Sequence, residues 1–113
     1  HTASPCLLDV SKVRNRREVM NTTVFGIKNV LEAVEKSGTV QRVVLTSSTT
    51  AVYHQTSDKK GAFDESDWNN KSTMKSNVYF AAKAAAERTA WEIKANSNQE
   101  WEMTSLLGSI LVG

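Results

Sequence analysis

A short apolar run, Val43-Val44-Leu45-Thr46, sits between two stretches of helical periodicity, and that alternation constrains the fold most. Runs of this length and character are strands buried in a parallel sheet. Upstream, Met20, Thr23, Val24, Ile27, Val30, Leu31 and Val34 recur at three- and four-residue steps, which predicts a helix over Val19 to Ser37 with one apolar stripe. Gly38 is a natural stop. Gly26 inside this helix costs up to about 1 kcal/mol relative to Ala, a cost that close packing against a strand or neighbouring helix would explain. Downstream, Ser76 or Asn77 can cap an Ala-rich helix running to about Ala95, before Asn96-Ser97-Asn98. Trp101 to Leu107 then reads as a second strand. Helix, strand, long loop, helix, strand is an α/β order, which favours a parallel sheet with helices on its faces.

At 113 residues the chain is one small domain or part of a larger one. Its formal charge of +2 is too small to argue for nucleic acid or an anionic membrane as partner. The basic cluster Lys12, Arg14, Arg16 and Arg17 reads as a solvated loop or helix start. Cys6 stands alone, so an intrachain disulfide is excluded and a reducing, cytoplasmic setting is the default. No apolar run approaches the roughly 20 residues that span a bilayer. His1-Thr2-Ala3-Ser4-Pro5 reads like a loop leaving a strand, and Leu106 through Gly113 is a strand-like apolar run. The chain is therefore expected to be an internal piece of a longer polypeptide.

Chemistry concentrates at Tyr79-Phe80-Ala81-Ala82-Lys83. Four residues is about one helical turn, so phenol and ammonium project from one face. A cation beside a phenol favours its ionised form and would pull a pKa of about 10 toward neutrality, making Tyr79 a proton donor for a carbonyl under reduction. Ligands of a doubly wound sheet gather at the carboxyl ends of its strands. Ser47, Ser48, Thr49 and Thr50 follow the first strand there, and a hydroxyl among them would stabilise charge developing on the carbonyl oxygen. Side chains at a strand end alternate between faces; Ser48 is the choice, and each of the four also fits a turn that satisfies backbone groups. The long polar segment between Ser48 and Tyr79, with Asp58, Lys59, Lys60, Asp64, Glu65, Asp67 and Trp68, has the length of a functional loop.

Several of these words occur in one order in a known family. His1-Thr2-Ala3-Ser4-Pro5, the helix with Gly26 and Asn29-Val30-Leu31-Glu32-Ala33, Arg42-Val43-Val44-Leu45-Thr46-Ser47-Ser48 and Ala51-Val52-Tyr53 come first. Asp64-Glu65-Ser66-Asp67-Trp68 follows, then Tyr79-Phe80-Ala81-Ala82-Lys83 with Ala86-Glu87 and Ala90-Trp91-Glu92. Across nearly its whole length the chain resembles the middle of an extended short-chain dehydrogenase/reductase, in the dihydroflavonol reductase and cinnamoyl-CoA reductase branch.

The resemblance implies an NAD(P)-binding, Rossmann-like doubly wound parallel sheet, incomplete in this chain. Residues 1–113 would be its central part, without the Gly-rich N-terminal portion and the C-terminal substrate lobe. It implies that Ser48, Tyr79 and Lys83 are catalytic, that Thr2, Ala3 and Ser4 lie along the cofactor, and that Lys83 also binds the nicotinamide ribose. Residues from about Gln55 to Asn77 would help form the substrate pocket, with Trp68 a packing anchor and Tyr53 structural. The implied activity is hydride transfer from NADPH, with NAD as the other cofactor to consider, to a small aldehyde or ketone. An NAD-dependent sugar epimerase or dehydratase of the same superfamily, or a non-catalytic nucleotide-binding module, is the alternative. Many relatives pair through the helices read here at 19–37 and 77–95, so a homo-oligomer is also implied.

Two departures stand out. Gly108 occupies a strand-end position where the family usually has proline, loosening the backbone there. No Gly-x-x-Gly-x-x-Gly phosphate loop occurs in the sequence; the family carries it upstream of the position of His1, at a helix N-terminus.

Overall fold

The computed structural model describes residues 1–6, 9–54 and 61–109. Four principal elements follow in order: α1 (Arg16–Ser37), β1 (Arg42–Ser48), α2 (Val78–Ala95) and β2 (Glu102–Gly108). Short 3-10 turns occupy Val10–Lys12 and Thr49–Ala51. Each helix starts where a side chain can take an unpaired backbone N–H. The Asn15 carboxamide accepts from the Glu18 amide, and that of Asn77 accepts from Phe80. α1 ends at Gly38, whose φ of 62° is left-handed backbone that glycine adopts without a Cβ penalty.

β1 and β2 pair in parallel, in register from Arg42 opposite Glu102 to Ser48 opposite Gly108. α2 is the crossover that a parallel pair requires. The other edge of β1 is also occupied. The His1 amino group donates to the Val44 carbonyl at 2.7 Å, and the Thr46 N–H donates to the His1 carbonyl at 3.0 Å. These two bonds bracket Leu45 in the pattern of a parallel pair, so the opening residues run alongside β1 and then leave across its carboxyl end. That agrees with reading His1 to Pro5 as a loop leaving a strand.

The core lies between the sheet and the two helices. Ile27 and Leu31 of α1, Ala86 and Ala90 of α2, Val43 and Leu45 of β1, and Trp101 form one buried cluster. The alanines let α2 approach closely, and alternate β1 residues point inward. Trp101 is anchored through its indole N–H, which donates to the Glu35 carboxylate and to Ser97 Oγ. Arg42 and Glu102 close the start of the sheet with an exposed ion pair.

One local expectation fails. A Cβ placed on Gly26 would meet no atom within 4 Å, so close packing does not explain this glycine. Two expected segments fall in part outside the described residues: 55–60 of the substrate loop, and 110–113 of the final apolar run. No described helix is long and apolar enough to cross a membrane.

Candidate active site

The carboxyl end of β1 turns directly into the 3-10 turn Thr49–Ala51, and this junction separates the hydroxyls. Ser47 and Ser48 are both buried, yet they serve different surroundings. Ser47 Oγ donates to the carboxylate of Glu87 on α2. Ser48 Oγ accepts from the Thr50 N–H at 3.2 Å and from Thr50 Oγ1 at 3.0 Å. A hydroxyl has two lone pairs and one proton; with both lone pairs engaged, the Ser48 proton is left to donate outward. Ser48 also interacts with the Tyr79 phenol, favouring its ionised form. Of the four consecutive hydroxyls, Ser48 is thus the one the fold brings to Tyr79.

Asn77 caps α2 immediately before Tyr79, and Lys83 follows one turn later. Lys83 is buried as a residue, with 8% of it exposed. It donates to Ser4 Oγ at 3.3 Å and to the Thr46 carbonyl at 3.5 Å. The opening segment, the end of β1 and the start of α2 therefore meet at this amine. Ser4, Ser48, Tyr79 and Lys83 are brought together; Thr2 and Ala3 lie beside Ser4 in the chain and are exposed.

The electrostatics differ from the expectation. Burial pushes the Tyr79 phenol above its ordinary value, the Cys6 thiol adds to the rise, and Ser48 opposes both. Burial also lowers Lys83, against the opposing influence of Glu87 and then Cys6. The expected depression of the Tyr79 pKa is not found because desolvation of the phenol dominates. The hydrogen bonds of Lys83 go to Ser4 and Thr46 instead of the phenol, and its own charge is disfavoured by burial. Tyr79 is accordingly a fully protonated phenol at neutral pH.

A cavity of about 680 Å³ opens next to this group, lined by Thr49, Trp68, Glu87, Trp91, Ser105 and Leu107 among others. None of Ser48, Tyr79 and Lys83 lines it, although Thr49 follows Ser48 directly and Glu87 lies one helical turn beyond Lys83. Phe63, Asp64, Glu65 and Asp67 also contribute to its wall, so the described part of the long loop surrounds a recess. Trp68 stands there with the Arg88 guanidinium 4.9 Å from its ring centroid. Tyr53 packs on Phe63 and Phe80.

Two residues matter more than the sequence suggested. Asn69 is buried within the loop; its amide N–H₂ reaches the carbonyls of Thr50 at 2.9 Å and Tyr53 at 3.1 Å, and its backbone N–H reaches Ala51 at 2.8 Å. Its carboxamide oxygen accepts from the Ser72 N–H at 3.0 Å. Glu87 is buried beneath Ser47 and also accepts from Trp91 Nε1 at 3.4 Å. A charged residue in an alanine-rich, buried helix face was the available signal for Glu87; Asn69 had none, because its partners lie up to 19 residues away.

Comparison with known proteins gives the family and the fold. The profile of the 3-beta hydroxysteroid dehydrogenase/isomerase family matches residues 1–108. The chain is similar to the NADPH-dependent methylglyoxal reductase GRE2 of Saccharomyces cerevisiae, 34% identical over 94% of this chain and 34% of that protein. It is 30% identical to dihydroflavonol 4-reductase of Arabidopsis thaliana, over 100% of this chain and 30% of the relative. The crystal structure of yeast methylglyoxal/isovaleraldehyde reductase Gre2 complexed with NADPH superposes with a TM-score of 0.79 at 33% identity, over 95% of this chain and 34% of that one. The chain thus spans about a third of the length of the relatives it matches. The fold is Rossmann-like, as the sequence led one to expect.

Proposed function

The chain belongs to the 3-beta hydroxysteroid dehydrogenase/isomerase family, and from that premise we propose that it is the central part of a reductase that delivers a hydride from NADPH to the carbonyl of a small aldehyde or ketone. The observation that carries this reading is the meeting of Ser4, Ser48, Tyr79 and Lys83 at the carboxyl end of β1. Weight also comes from the relatives, which are named as NADPH-dependent methylglyoxal reductase and dihydroflavonol 4-reductase. Those names favour reduction over epimerase or dehydratase chemistry and over a non-catalytic nucleotide module. The unpaired Cys6 supports a cytoplasmic setting.

The residues present suit the nicotinamide half of such a cofactor. Lys83 has three ammonium protons, and its two bonds, at 3.3 and 3.5 Å, are near the outer limit for hydrogen bonding. A ribose diol can take the third proton and compete for the other two. Ser4 stands at the same amine, with Thr2 and Ala3 preceding it. When bound, the cofactor supplies a hydride to the carbonyl carbon.

The chain's own residues manage the oxygen. As the new C–H bond forms, the carbonyl π pair moves onto oxygen, where the Ser48 proton turns from the Tyr79 phenol to meet the growing charge. The Tyr79 O–H bond then breaks and its proton completes the alcohol. The phenolate left behind is stabilised by Ser48 and by the Lys83 ammonium until solvent returns a proton. The raised pKa of Tyr79 keeps the donor stocked at neutral pH, so the ammonium and the developing oxyanion must draw the proton out during the reaction.

The test is NADPH oxidation by the full-length protein against a panel of aldehydes and ketones that includes methylglyoxal and a dihydroflavonol, with Tyr79→Phe alongside. Turnover should fall by about 10²-fold or more in the variant. A Tyr79→Phe protein that keeps nearly full turnover would overturn the proposal.

A further inference from the structure

Glu87 is a charged residue where packing alone requires none. It is 6% exposed, on a helix face whose neighbouring buried positions, Ala86 and Ala90, are alanine. A carboxylate is costly to bury unless it is hydrogen-bonded and faces a cation. Its two hydrogen bonds come from Ser47 on β1 and from Trp91 one turn on, and both donors are neutral. The cation it acts on is Lys83, one turn earlier, whose charged form Glu87 favours. Lysine preceding glutamate by four is the weaker order for helix stability, so intrahelical pairing does not account for it. Ser47, which Glu87 holds, lies between Thr46, whose carbonyl receives Lys83, and Ser48, which meets Tyr79.

We propose that Glu87 is a positioning residue for the reductase site: its buried carboxylate ties the end of β1 to α2 through Ser47, and balances the ammonium of Lys83. This inference rests on the reading of Ser48, Tyr79 and Lys83 given above. Two consequences follow from the one side chain. Through Ser47 it fixes the spacing between the strand that carries Ser48 and the helix that carries Tyr79 and Lys83. Through its charge it offsets the burial that otherwise favours a neutral amine. Among the described residues, the other titratable groups near Lys83 are Cys6, from the opening segment, and Tyr79, one turn back on α2, and from β1 the amine meets the Thr46 carbonyl.

The experiment is a pH profile of kcat for full-length Glu87→Gln, with its melting temperature and its KM for NADPH measured in parallel. Gln retains the length and a hydrogen-bond acceptor for Ser47 while removing the charge. Lys83 then loses its proton at lower pH, so the high-pH limb of activity should move down. At the pH of the parent's upper limb, kcat should fall below the parent's, while at lower pH the two profiles should converge. A structural role alone would lower the melting temperature and leave that limb in place. Should Glu87→Gln not fold, Glu87→Asp withdraws the carboxylate by one methylene and should shift the limb in the same direction by less. A folded variant with the parent's profile and kcat, alongside an inactive Tyr79→Phe, overturns this inference and spares the proposed function. An active Tyr79→Phe overturns the function reading instead.

Discussion

Lys83 and Ser4 are joined by a 3.3 Å hydrogen bond across 79 residues of sequence, and that bond locks the opening segment onto the helix that bears Tyr79. The contact makes one end of the chain part of the site formed by its middle. It also sets the Ser4 hydroxyl beside the amine, where a second polar group could be held by both.

Ser4→Ala removes that contact and one polar group beside the proposed ribose position. The expected result is a five- to tenfold weaker NADPH affinity, about 1 kcal/mol, with kcat at saturating cofactor nearly unchanged. Fluorescence titration of full-length protein with NADPH checks it. Unaltered affinity would show that Ser4 only anchors its own segment.

Ser48→Ala should lower kcat by roughly 10²-fold, the usual cost of losing one donor to a developing oxyanion. It also deprives Thr50 of an acceptor for its N–H and its hydroxyl, which should destabilise the fold by about 1 kcal/mol. Steady-state kinetics and thermal unfolding separate the two effects. A loss of stability with kcat intact would reassign Ser48 to the turn alone.

The pKa of Tyr79 gives a prediction with a definite sign. Its phenol should ionise above the ordinary value of about 10, read as the difference in ultraviolet titration between the parent and Tyr79→Phe. Cys6→Ser removes an influence that raises this pKa, so the midpoint should fall. Ser48→Ala removes the one that lowers it, so the midpoint should rise. Because the folded pKa exceeds the unfolded one, the associated stability is present below about pH 10 and is lost as pH climbs through the folded value.

Asn69→Ala should destabilise the fold by about 2 kcal/mol, because the carbonyls of Thr50 and Tyr53 lose a buried donor. Asn69→Asp should cost more at neutral pH, since a carboxylate oxygen would then face those two carbonyls. The gap should narrow in acid as the carboxyl regains a proton. Denaturant unfolding at two pH values tests the ordering; equal losses at both would show that the amide is not what holds the loop.

How much could be read beforehand depended on the reach of each interaction. The apolar stripe through Ile27 and Leu31, the Asn77 cap and the left-handed Gly38 are local, and each lay where periodicity and capping chemistry placed it. Parallel pairing of β1 and β2 followed from the alternating order of elements. The spacing of Tyr79 and Lys83 was visible for the same reason. What spacing could not convey was the balance of forces on the phenol, where desolvation dominates while Lys83 turns its hydrogen bonds to Ser4 and Thr46. Asn69 escaped because its partners Thr50 and Tyr53 lie far back in the sequence, and the role of Glu87 because its bond to Ser47 joins α2 to β1. Gly26 invited an argument from packing that its open surroundings do not support.

The way Asn69 is riveted beneath Ala51 also bears on how such a protein can diversify. A loop whose Asn69 is fastened to the turn from the inside can exchange its exposed residues with little mechanical consequence for the Ser48 turn. New recess shapes around Phe63, Asp64 and Trp68 can then be sampled by substitution while Ser48 and Tyr79 stay where they are. Under the proposed function, specificity would then be the inexpensive variable and reaction chemistry the inherited one.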